Sequence, residues 1–79
     1  MDINAGDLIK KLDGIQPNDP KREEKFSGVI EQVLDSKTNI VGDRARLKNR
    51  LPEVYENLRL EEINPGLEGD VISAALVLE

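Results

Sequence analysis

Apolar residues recur at helical spacing in four stretches of the chain, with turn residues between them. In the first, Leu8, Ile9 and Leu12 stand at i, i+1 and i+4, one face of a helix. Asn4 lies just before it, and its side-chain oxygen can accept from an orphan amide of the first turn. Ile3 and Leu8 occupy the two positions of a hydrophobic staple, and Gly14 is a natural stop. The pattern predicts a helix over residues 5–13. Residues 15–18 read as a turn. Asp19-Pro20 is a restart signal, because Asp caps and Pro fits the first helical position. Glu23 and Glu24 then sit where the helix dipole favours negative charge.

The second stretch is the longest. It carries Phe26, Val29, Ile30, Val33, Leu34, Ile40, Val41, Leu47 and Leu51. Phe26, Val33, Ile40 and Leu47 are spaced seven apart, which keeps them on one stripe of a helix. A single helix over residues 20–51 is therefore predicted, with that stripe as a buried seam for helix–helix contact. The second line of the seam is polar in its lower half, at Ser36, Lys37, Asp43 and Arg44. Gly28 and Gly42 would each cost roughly 1 kcal/mol against Ala inside a helix. Either a neighbour approaches closely there, or the helix bends, or packing outweighs the cost.

Pro52 removes a backbone hydrogen bond and crowds the preceding turn, which predicts a kink or break near Arg50. Val54, Tyr55 and Leu58 resume helical spacing over residues 53–63, and Asn64-Pro65-Gly66 is a turn. The tail, residues 68–79, contains Val71, Ile72, Ala74, Ala75, Leu76, Val77 and Leu78, with Asp70 as a candidate cap. Ala74-Ala75 and the length of the run favour a helix over a strand. A helix apolar on nearly every side must be covered. Val71, Ile72, Ala75, Leu76 and Leu78 are thus candidate contacts to another chain. The class this implies is all-α: one small domain over residues 1–79, a long central helix with short flanking helices, packed as a bundle or in coiled-coil fashion.

Composition narrows the function. The 79 residues contain no His, Cys or Trp, and only Phe26 and Tyr55 are aromatic. The commonest general base at neutral pH, thiolate nucleophiles and thiolate metal ligands are all missing. So small a domain gains stability from disulfides, a metal or association, and the first two have no residues to build them. Association, with a second copy or a helical protein partner, is the expectation. A net charge of −5 disfavours nucleic acid and anionic membrane. No run of 18 apolar residues offers a membrane span, and residues 1–11 lack a signal-peptide core.

Other chemistry is weak. Adjacent residues on a helix point about 100° apart, so Glu23-Glu24 and Glu61-Glu62 do not converge as a dyad and read as solvated surface. Residues 64–70 hold fragments of a calcium loop without its spacing. Arg44, Arg46, Lys48 and Arg50 form the one basic patch, without interleaved aromatics to stack bases. A charge match with Glu53, Glu56, Glu61 and Glu62 is the more economical reading. No catalysis, cofactor, metal or small-molecule substrate is expected.

The stretch INAGDLIKKLDGIQPNDPKREEKFSGVIEQVLDSKTNIVGDRARLKNRL resembles the C-terminal part of the helical core domain of flagellin and of the hook–filament junction protein. Leu8, Ile9 and Leu12 match the family's short helix, and Ile30, Val33, Leu34, Val41, Gly42 and Arg44 match its long one. Leu67, Glu68, Asp70, Val71, Ala74 and Ala75 are similar to its following segment, while Pro52 falls where the family helix continues. The resemblance implies a structural segment of the bacterial flagellum, assembling through helix–helix contacts and located outside the cell. The alternative is a small helical adaptor or secretion-type chaperone, cytoplasmic, acting as a homo-oligomer or with one partner.

Overall fold

Four helices carry the chain in the computed structural model, which describes residues 1–79: α1 Ala5–Asp13, α2 Arg22–Ser36, α3 Arg44–Asn57 and α4 Leu67–Val77. Two short strands, β1 Ile3–Asn4 and β2 Ile40–Val41, pair in parallel with Ile3 opposite Ile40. α1 and α4 each pack against both α2 and α3, so they occupy opposite corners of the bundle. The molecule measures 32 × 22 × 18 Å.

α1 begins as the local chemistry dictates. The Asn4 side chain accepts from the Gly6 amide at 2.7 Å, and Leu8, Ile9 and Leu12 face inward. At the next restart the Asp19 carboxylate accepts from the Lys21 amide at 2.8 Å, and α2 begins at Arg22, just beyond Pro20.

The single helix expected over residues 20–51 is two helices. α2 ends at Ser36, and a 3₁₀ turn, Lys37–Asn39, leads into β2. Gly42 then takes φ +91°, a conformation that L side chains rarely adopt. Asp43 caps the new helix by accepting from the Arg46 amide at 3.0 Å. Phe26, Val33, Ile40 and Leu47 are all buried, but they belong to α2, β2 and α3 rather than to one stripe. Their seven-residue spacing survives a chain reversal between Val33 and Leu47.

Arg44 secures that reversal. Its guanidinium donates to the Lys37 and Ile40 carbonyls at 2.9 and 2.8 Å, and to the Val77 carbonyl near the end of α4 at 2.7 Å. A cation on the last carbonyls of a helix also meets the negative end of its dipole.

Pro52 does not break the chain. α3 runs through it to Asn57, and Pro52 is exposed on the solvent side. The break comes later: Arg59 adopts the left-handed conformation and a 3₁₀ turn, Leu60–Glu62, follows. The turn at Asn64-Pro65-Gly66 then delivers α4, which starts at Leu67, so that Asp70 lies inside its first turn instead of capping it.

Twenty residues are buried, none of them charged, and they form one cluster drawn from all four helices. The Phe26 and Tyr55 rings meet at 6.1 Å with a 48° tilt, within the range of favourable aromatic pairs. The two inner glycines have opposite roles. A Cβ on Gly28 would meet nothing within 4 Å, whereas one on Gly42 would sit 3.3 Å from the Asn4 side-chain oxygen on a strained backbone. Gly28→Ala should therefore stabilise the fold by about 0.5–1 kcal/mol. Gly42→Ala should cost about 1–3 kcal/mol. Urea unfolding midpoints check both; equal shifts in one direction would contradict the reversal at Gly42.

Candidate protein-docking groove

The residues expected to form a seam for another chain mostly serve this chain's own core. Phe26, Val29, Ile30, Val33, Ile40 and Leu47 are buried, Leu34 is half-buried against them, and only Val41 is exposed. β2 carries Val41 outward because alternate residues of a strand face opposite ways and Ile40 takes the inward position.

The tail behaves differently. Leu67, Val71, Ala74 and Leu78 are buried against the rest of the bundle. Ala75 and Val77 are half-buried. Ile72 and Leu76 are 56% and 61% exposed. The chain covers the inner face of α4 itself and leaves the outer ridge bare. Glu68, Ile72 and Leu76 follow one another at four-residue intervals along that ridge, over about 12 Å.

Beside the ridge lies a groove of about 530 Å³ between α3, the Leu60–Glu62 turn and α4. Buried Tyr55 and Val71 form its floor, and Ile72 forms one wall. Exposed Glu56, Glu61 and Glu68 line its rim. None of these three carboxylates is in an ion pair; the pairs of the chain are Lys25–Asp19, Lys48–Glu79, Arg50–Asp13 and Arg50–Glu53. The basic patch is thus matched only in part to the acids that follow it. Arg44 goes to backbone carbonyls, Lys48 to the last residue and Arg50 to α1 and Glu53, leaving Glu56, Glu61 and Glu62 unmatched.

The field of these acids reaches the groove floor. Burial pushes the Tyr55 phenol above its ordinary 10.0, and Glu68 and then Glu61 add to the shift by disfavouring a second negative charge beside them. The hydroxyl itself makes only a long bond, 3.4 Å, to the Asn64 carbonyl.

A second concavity, about 380 Å³ between α1 and α2, is lined by Lys10, Lys11 and Lys25 around Gly28 and Val29. Two of its lysines are already engaged, Lys25 with Asp19 and Lys11 with Gln32, and no exposed large apolar side chain borders it. No group of three or more acidic, His or Cys side chains is arranged to hold a metal, and no helix is long and apolar enough to cross a membrane.

The sequence points to α4 as a surface in need of cover, but not to Pro52, Tyr55, Glu56, Glu61 and Glu68 as its neighbours. One signal was present. From Glu53 to Asp70 six carboxylates face a single cation, Arg59, so most of the charge of this stretch has no counterpart within it.

Comparison with known proteins adds no relative: no family model, no curated protein and no solved structure matches this chain.

Tyr55 is the only tyrosine and there is no Trp, so its ionisation can be followed by tyrosinate absorbance without overlap. The midpoint should lie above 10.0 in the folded protein. The native state then holds its phenolic proton longer than the unfolded chain, so stability falls as pH rises from the unfolded value toward the folded one. Glu61→Gln with Glu68→Gln should lower the midpoint part of the way, because burial is the larger cause. A midpoint at or below 10.0, or one indifferent to both changes, would contradict this geometry.

Proposed function

We propose that this protein is a small helical adaptor that holds one protein partner on the outer ridge of α4 and the groove beside it. The observation that carries the reading is the pair Ile72 and Leu76. They stand exposed one turn apart on a helix whose other face is fully packed. Scattered exposed aliphatics are ordinary, but Ile72 lines a groove with an apolar floor and Leu76 stands one turn further along the same ridge. Burying side chains of this size is worth about 1.5–3 kcal/mol each, enough to anchor a partner.

The reading requires no catalytic group and no cofactor. The alternative drawn from the flagellin resemblance, an axial assembly segment, would use the same uncovered face of α4. It also calls for a helix running on through residues 20–51, and here α2 and α3 are separate helices, joined by a 3₁₀ turn and β2 and bridged by α1 and α4. A domain that completes its own core and offers one bare ridge favours the adaptor.

A photo-crosslinking phenylalanine analogue placed at Leu76, and separately at exposed Glu31 on α2, tests the proposal in the native host. Position 76 should yield a discrete protein adduct and position 31 should not. Absence of any adduct from 76, or the same adducts from both positions, would overturn it.

A further inference from the structure

We infer that the partner docks as a cationic amphipathic helix, its aliphatic side chains against Ile72, Leu76 and Val71 and its basic side chains against Glu56, Glu61 and Glu68. This rests on the adaptor reading and adds the chemistry of the occupant.

Charge is the first argument. The three rim carboxylates have no cation of their own, on a protein whose formal charge is −5. An acidic or neutral partner would leave them uncompensated beside a newly desolvated patch, at a cost for each. Lys or Arg at the edge of the partner's apolar face supplies the missing charges and steers the encounter. A second copy is a poorer fit, since it brings the same acidic rim to the contact and its lysine-lined concavity is already partly neutralised.

Shape is the second argument. The ridge at Glu68, Ile72 and Leu76 and the trough toward α3 are the ridge and groove of packed helices, which receive another helix. An extended peptide would instead need a free strand edge. The chain's strands are only two residues long, and neither lines the groove.

The test is a nuclear magnetic resonance titration of the intact protein with a synthetic helical peptide, leucines on one face and lysines flanking them. Two control peptides replace the leucines with serine or the lysines with glutamate. Amide shifts should concentrate at Tyr55, Val71, Ile72 and Leu76 and weaken as salt is raised. Affinity should fall at least about tenfold for Glu61→Lys with Glu68→Lys, and similarly for Ile72→Ser, since each removes one half of the match. All these residues except Tyr55 and Val71 are exposed, so the variants keep their fold, which their unperturbed spectra would verify. The serine peptide should bind weakly and the glutamate peptide not at all.

The inference is overturned if millimolar leucine–lysine peptide moves no groove resonance. It is equally overturned if the serine peptide binds as well, if the variants change nothing, or if the protein alone dimerises through Ile72. A discrete crosslink from position 76 together with a silent titration would leave the adaptor reading intact and discard the cationic helix.

Discussion

The structure depends on the chain reversal at residues 37–43 and on the guanidinium of Arg44 that holds it. A continuous helix over residues 20–51 would be a rod about 48 Å long, whose apolar stripe the shorter α1 and α4 could not cover along its length. The reversal turns that stripe on itself: Phe26 and Val33 on α2 and Leu47 and Leu51 on α3 enter the same core. Arg44 fixes the turn through three carbonyls, two in the turn and one near the end of α4. Charged hydrogen bonds of this kind are the stronger class, about 1.5–3 kcal/mol each. Because one side chain joins the turn to the last helix, closing the turn also sets where α4 lies. β1 adds a second tie, with Asn4 both capping α1 and lying against Gly42.

The placement of α4 explains the candidate site. Its inner residues complete the core, while its sequence is too apolar for one face to absorb. What remains, Ile72 and Leu76, is presented on a rigid helix rather than a loop, next to a trough whose floor is fixed by the packing of Tyr55 and Val71. Acid residues gather around that trough because the Glu53–Asp70 stretch turns back from α3 into α4. Its charges therefore come to one rim instead of spreading along a surface.

Much of this was legible in the sequence where local chemistry decides alone. The Asn4 cap, the stop at Gly14 and the Asn64-Pro65-Gly66 turn each rest on a few adjacent residues. The central break was not, because the regular spacing of Phe26, Val33, Ile40 and Leu47 also suits a reversal that spans the same number of residues. The competing signals, β-branched Thr38, Ile40 and Val41 followed by Gly42-Asp43, were present and prevailed. Pro52 misled in the other direction: its ring lies on the exposed side of α3, clear of the core, and the helix continues through it. The groove was illegible because it joins residues from α3, a 3₁₀ turn and α4, and no periodicity within one element reports which acids a chain reversal will bring together.

Backbone nuclear magnetic resonance across residues 34–46 tests the central claim most directly. Helical chemical shifts should stop at Ser36 and resume at Arg44, Gly42 should report a positive φ, and Ile3 should show contacts to Ile40. Unbroken helical shifts and sequential amide contacts from Arg22 to Asn57, with no contact between Ile3 and Ile40, would contradict it.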